Sequence, residues 1–417
     1  MQEVDIYSPK YCQDWQEKSL YDLAIWKNGL AFKDINFSNK GKPVIKIAEL
    51  KNGITAQTKF TKDIFEDAVH ITKGDMVFSW SGNPQTSIDV FYYDLEDGWL
   101  NQHIFKITTK KEVLKNYFFY TLKYLKPNFK MIAANKQTTG LGHVTINDLK
   151  KIKIKLPPLA EQKRIASILS SFDDKIELNN KTNKILEEMA QTIFEEWFIN
   201  FNFPNEDGKP YKKSGGEMIG SELGGIPKGW KILTLKDIVN IVKGKKPTAT
   251  SDKITKKFTM PYLTIDCYNN EKSEYTEYNE KMHVKELDIV MVMDGNAGRI
   301  FYGKEGILSS TMAKFVIEDE NLNEIVFNFL KSIEYDLMYH TVGSVIQHAD
   351  KQYILNKKFC VPENNLKRLS DIFKEIRRKV ALNKKENEKL AKIRDSLLPK
   401  LMAGEIRIDK NFETINF

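Results

Sequence analysis

The sequence predicts an α+β protein in which two pseudo-twofold related mixed α/β domains are separated by a long antiparallel two-helix coiled coil. Three observations lead to this fold class: an internal repeat that runs through the chain, a heptad seam present once in each copy, and short β-branched and aromatic runs ahead of each seam.

The repeat fixes the rest of the plan. Trp15, Leu20, Asp22 and Gly29 match Trp230, Leu235, Asp237 and Gly244 at an offset of 215. Asp75, Gly82 and Asn83 match Asp288, Gly295 and Asn296 at 213, and His143 and Pro157 match His348 and Pro362 at 205. Arg164 matches Arg368 at 204. An ordered series of offsets that falls slowly describes one fold copied twice with small loop deletions.

The mixed domains are residues 1–158 and 230–363. MVFSW at 76–80 and DIVMVM at 288–293 read as strands, and helices are expected near 112–125 and 323–339. KKIKIKLPP (150–158) reads as a strand whose lysines, Lys151, Lys153 and Lys155, line a solvated face; Pro157 and Pro158 end it. Its counterpart is NKKFCVPE (356–363). The helices follow at 159–199 and 364–404, with a connector rich in Gly, Pro and charge at 200–229 and a tail at 405–417.

The first helix seam runs Ile165, Leu169, Phe172, Ile176, Asn179, Asn183, Leu186, Ala190, Ile193 and Trp197. The second, 204 residues on, runs Leu369, Phe373, Ile376, Val380, Asn383, Asn387, Leu390, Arg394, Leu397 and Leu401. Steps of four and three make a coiled-coil seam, and the Asn pairs set register at some cost in stability. In an antiparallel pair the connector reaches a near neighbour. A parallel pair would make it run back along the coil, roughly 48 Å at about 1.5 Å per residue, and is disfavoured; Asn meets Asn in either case. With Asn179 opposite Asn387 and Asn183 opposite Asn383, paired numbers sum to 566 and all ten layers close. Phe172 then faces Arg394, and the small Ala190 meets Ile376.

At 417 residues the chain can hold two or three domains with separate cores. Its net charge of +8 leans toward anionic partners. Cys12, Cys267 and Cys360 form no metal or redox spacing and fit a reducing cytosol. No signal peptide and no apolar run of membrane-spanning length are expected. No phosphate-binding GxxxxGK[ST] loop, Gly-rich cofactor turn or methyltransferase tetrad is visible; Asn83-Pro84-Gln85 fails the tetrad at its third residue. Pro204, Glu206, Asp207 and Lys209 faintly resemble a nuclease cluster but fall in the connector, as solvated loop. No metal site is expected.

LPPLAEQKRIASILSSFDDKIELNNK (156–181), the stretch 187–230 and KIRDSLLPKLMAGEIRI (392–408) resemble the specificity (S) subunits of type I restriction–modification enzymes. The resemblance covers nearly the whole chain, and its most specific part is the Pro-Pro-Leu-x-Glu-Gln signature at 157–162. The second copy departs from it, reading VPENNLKRL at 361–369. The resemblance implies two target recognition domains, each reading half of a split double-stranded DNA sequence. The helices then act as spacer and dock two modification (methyltransferase) subunits. S-adenosylmethionine, ATP and Mg belong to those and to the restriction subunits. The chain itself would bind and specify without catalysis, in a prokaryotic cytoplasm.

Candidate DNA contacts in the first domain are Ser81, Asn83 and Gln85, with Lys136, Gln137, Thr138 and Thr139. In the second they are Asn296 and Arg299, with Ser344, Gln347 and His348. Asn and Gln can bond adenine and Arg can bond guanine in the major groove. The competing reading is structural, because Gly-Asn after a strand is first of all a turn. His143 and His348 are equivalent and fit a structural or DNA-proximal role. Two other classes compete: a methyltransferase or nuclease fused to recognition domains, which lacks its cofactor and metal motifs, and a coiled-coil scaffold, which leaves the basic balance unexplained.

Overall fold

The structure, a computed structural model, describes residues 14–137, 140–269, 272–343 and 347–408. The chain divides into two compact units, Met1–Lys175 with Leu390–Phe417, and Ile176–Lys389.

Both units carry the same pair of sheets, strand for strand. In the first unit Ala24–Asn28, Ile104–Thr109, Met76–Ser79 and Asp89–Tyr92 lie in that order, all antiparallel. In the second, Val239–Lys243, Met312–Ile317, Ile289–Val292 and Ile300–Phe301 repeat the order and the directions. The companion sheet runs Phe60–Thr61, Lys42–Ile45, Gly98–Leu100, His70–Ile71 in the first unit. In the second it runs Tyr275–Thr276, Met260–Leu263, Gly306–Leu308, His283–Val284. In each, the middle pairing is the parallel one.

The runs MVFSW and DIVMVM form the strands Met76–Ser79 and Ile289–Val292, each buried along its whole length. Strands covered on both faces need apolar groups on both, so these runs do not alternate. The matched Gly29 and Gly244 have a steric cause. A Cβ would stand 2.2 Å from the Leu100 carbonyl oxygen at the first and 2.1 Å from the Ser309 carbonyl oxygen at the second. The helix expected near 112–125 extends over Lys115–Asn135, past Pro127. Leu125, Phe129 and Ala133 continue its buried face at intervals of four. The helix expected near 323–339 is two, Glu320–Ser332 and Glu334–Tyr339.

Lys153–Leu156 pairs antiparallel with Gln16–Ser19, burying Ile154 and Leu156 while Lys151 and Lys153 stay exposed. Lys358–Pro362 pairs in the same way with Trp230–Thr234. Each strand leads into a long helix. The first is Leu159–Phe194, prolonged by a π-helical turn Glu195–Ile199, and the second is Leu366–Met402. Each contributes residues to both units.

Within each unit the two helix segments run antiparallel. In the second unit Asn179 Nδ2 donates to Asn387 Oδ1 (2.8 Å) and Asn383 Nδ2 donates to Asn183 Oδ1 (2.8 Å). That is the register in which paired numbers sum to 566. Leu186, Ala190, Ile193 and Trp197 share a core there with Val380, Ile376, Phe373 and Leu369. In the first unit Ile165 and Leu169 share a core with Leu401 and Leu397. One layer differs in detail. Arg394, expected opposite Phe172, bonds the adjacent Asp173, which also accepts from the Tyr120 hydroxyl at 2.7 Å. A guanidinium placed at an apolar seam is costly unless it finds an anion, and Asp173 is the nearest one on the partner helix.

The Pro-Pro-Leu-x-Glu-Gln signature ties the first domain to the start of its helix. Gln162 is 1% exposed. Its Oε1 accepts from the Leu114 N–H (2.9 Å), and its Nε2 donates to the carbonyls of Glu112 (3.0 Å) and Pro157 (2.9 Å). Glu161 accepts from Trp15 Nε1 (3.2 Å) and from Arg407 (2.7 and 3.0 Å). In the second copy Leu366 stands where Gln162 does and packs on the apolar core instead. The Arg377–Glu324 pair (3.1 Å) ties that domain to its helix, with the guanidinium 4.6 Å from the Phe327 ring centre.

The connector is ordered. Met218–Ser221 and Gly224–Pro227 form a hairpin, and Phe203 stacks on Tyr211 and packs against Trp230. The Asn205 side chain accepts from the N–H groups of Asp207 (3.0 Å) and Lys209 (2.9 Å), so the nuclease-like cluster is a turn. Among the described residues no group of three or more His, Cys, Asp or Glu could hold a metal, and no helix is long and apolar enough to cross a membrane.

Candidate nucleic-acid interface

The structure brings the Ser81 loop to His143 in the first domain, and the Asp294 loop to Gln347 and His348 in the second. In the first, Ser81–Gly82 pairs antiparallel with Gly142–His143, so His143 lies opposite Ser81. In the second, Asp294 bridges His348, and the Gly295 N–H donates to the Gln347 carbonyl (2.9 Å). The neighbouring bonds repeat too: Val144 N–H to Trp80 O and Ala349 N–H to Met293 O, each 2.8 Å. Gly82 and Gly295 both take positive φ, +136° and +89°, which is why Gly recurs at the turn.

Side chains at this junction divide into those that hold it and those that project. Asn83 Oδ1 accepts from the N–H groups of Gln85 (2.9 Å) and Thr86 (3.3 Å), shaping the turn, while Gln85 is exposed. Lys136 is engaged by Asp148, 2.6 Å from both carboxylate oxygens; Gln137 beside it is exposed. Thr138, Thr139 and Ser344 lie outside the described residues. In the second domain Asn296, Arg299, Gln347 and His348 are all exposed. His348 Nδ1 lies 2.7 Å from Asp294 Oδ1, and Lys243 Nζ lies 2.9 Å from Asp294 Oδ2. Partial burial works to raise the Asp294 carboxyl, but the bonds from His348 and Lys243 outweigh it and hold the group below the usual carboxylate range.

Two features of the junction escaped the sequence reading. Lys243, Lys245 and Lys246 are exposed at and just beyond the end of Val239–Lys243, and Lys243 touches the loop directly. The signal was the Lys-Gly-Lys-Lys run itself, whose place beside Asp294 depends on sheet order. Trp80 is half-buried, donates to Asn28 Oδ1 (3.0 Å) and stacks on Phe105. It read as the end of a strand.

The family description "Type I restriction modification DNA specificity domain" matches residues 12–188 and again residues 227–392. The chain belongs to that family. It is a specificity subunit with two recognition domains, and the repeat read from the sequence is a repeat of that domain. It is 27% identical over 391 residues to the type I restriction enzyme MjaVIII specificity subunit of Methanocaldococcus jannaschii, covering 88% of this chain and 86% of that one. The MjaIX specificity subunit of the same organism is 28% identical over 337 residues, 74% of this chain and 73% of that one. The fold is shared with the crystal structure of a type I restriction–modification S subunit from M. genitalium. The TM-score is 0.57 at 16% identity, over 96% of this chain and 98% of that one.

Proposed function

We propose that this specificity subunit gives a type I complex its DNA sequence, each recognition domain reading one half of a bipartite, asymmetric target. The long helices set the spacer between half-sites and dock two modification subunits, which methylate adenine with S-adenosylmethionine. Restriction subunits add ATP- and Mg-dependent cleavage. The chain itself catalyses nothing and works in the cytoplasm.

The observation that carries this reading is the loop junction, built once in each domain on the same backbone pairing but with different side chains. Ser81 and Asn28 in one domain stand where Asp294 and Lys243 stand in the other. A shared frame holding unlike polar groups suits two unlike half-sites. The exposed Lys243, Lys245 and Lys246 beside one junction suit phosphates.

A second pattern supports the docking of two identical subunits. Leu178 and Met189 of the first helix are 57% and 48% exposed, and their counterparts at the 204 offset, Leu382 and Ile393, are 52% and 46% exposed. Two outward apolar positions kept in both copies fit the same partner bound twice, although Ile185 between them meets Lys389 in the second copy. The test is to express the chain with its modification subunit and map methylated adenines across a genome. A two-part motif with a fixed gap is expected; methylation without sequence preference would refute the reading.

A further inference from the structure

The recognition junction of the second domain contains a histidine whose ring is held in a single orientation. His348 is fixed twice: its backbone bridges Asp294, and its Nδ1 lies 2.7 Å from Asp294 Oδ1. Asp294 is fixed in turn by Lys243, 2.9 Å from Oδ2 and 3.3 Å from Oδ1. An ionised carboxylate only accepts hydrogen bonds, so the Nδ1 facing it must carry the proton. In the neutral ring the other nitrogen, Nε2, is then a bare acceptor. The His348 side chain is 49% exposed while Asp294 is 20% exposed, so the anchor is sheltered and the ring projects. In the first domain Ser81 replaces the carboxylate opposite His143, and Asn28 replaces Lys243, so the device belongs to one domain alone.

Resting on the DNA-reading function above, we propose that His348 is a specificity-determining residue whose Nε2, fixed as an acceptor by Asp294, selects an exocyclic amino group at one base of its half-site. In the major groove that group is adenine N6 or cytosine N4, whereas guanine O6 and thymine O4 present only acceptors and are rejected. The rejection is the sharper part of the selection, because an acceptor facing an acceptor leaves both without a partner.

In Asp294→Asn the amide turns its NH2 toward Nδ1, which becomes the acceptor, and the proton moves to Nε2. The base preference at that one position should then invert, from adenine or cytosine to guanine or thymine. In His348→Ala the position should accept all four bases. The experiment is methylation mapping at pH 8 with the full chain and its modification subunit, for wild type and both variants. Inversion in one variant and relaxation in the other, with every other motif position kept, supports the proposal. An unchanged motif in both variants overturns it and leaves the subunit's DNA-reading function standing. Methylation without a motif in wild type would remove that function and the proposal together. Should a variant give no methylation at all, imidazole 15N shifts of the isolated full chain decide the matter: protonation on Nδ1 in wild type and on Nε2 in Asp294→Asn is required, and any other pattern overturns it.

Discussion

At the residue scale, two buried polar groups show what holds the first domain on its frame. Gln162 fills three hydrogen bonds with backbone groups around Glu112, Leu114 and Pro157. Gln162→Leu copies the residue found at the matching place in the second domain, Leu366, yet strands those backbone groups without water. Expect a loss of about 2–3 kcal/mol in chemical denaturation of the full chain. The signature Glu161-Gln162 was legible in the sequence as a family mark. Its job was not, because Leu114 lies 48 residues away. Asp148 gives a pH-dependent case. Burial works to raise its carboxyl, but bonds from Lys136 and Thr145 prevail and hold it below the usual range. A carboxyl lowered by folding adds stability that is complete above the ordinary aspartate range, about 3.9, and is lost as pH falls through its folded value. The melting temperature should therefore drop as pH is taken from about 5 toward 3. Asp148→Asn should flatten that drop while costing about 1–3 kcal/mol at neutral pH. If the pH profile keeps its slope in the variant, other carboxyls are responsible.

At the scale of elements, the helices were the most legible part of the sequence, because a seam with period 3.5 needs no knowledge of distant contacts. Its register emerged from one assumption, Asn179 opposite Asn387, and the paired amides sit at hydrogen-bond distance. The sheets were less legible. Strands such as His70–Ile71 and Ile300–Phe301 have two residues each, too short for any period to register, and their order depends on long-range pairing. The Asn layers make a sharp prediction. Asn183→Leu leaves Asn383, 3% exposed, facing a methyl group and should cost about 1–3 kcal/mol. Adding Asn383→Leu should recover most or all of that loss, giving a coupling that a double-mutant cycle measures directly. Additive losses would mean that the amides act independently. The outward row makes a stoichiometric prediction. Leu178→Glu or Leu382→Glu alone should each reduce the complex from two modification subunits to one, as read by light scattering, and the double variant should bind none. Two subunits retained on the double variant would place the docking surface elsewhere.

At the scale of the whole molecule, duplication followed by divergence explains which parts changed. The helix seams keep the same two Asn positions and the same outward leucine, Leu178 and Leu382, while the junction side chains differ between domains. Under the proposed function, identical partners would hold the former constant and unlike half-sites would free the latter. The proposed spacer role turns on length. If the helices set the gap between half-sites, the gap must follow the number of helical residues and nothing in the recognition domains. A seven-residue insertion in each helix, placed between the Asn layers and the next apolar layer, keeps the seam in phase, because seven residues close one heptad. It lengthens each helix by roughly 10 Å, equivalent to about three base pairs at about 3.4 Å each. Both half-sites should then be read unchanged in the mapped methylation motif, with a gap that grows by up to that amount. Methylation should be weaker, since each added base pair also rotates the second half-site around the duplex and the DNA must twist to present it. A gap that stays constant in an active variant would show that the spacing is set elsewhere, and the repeated helices would then serve docking alone.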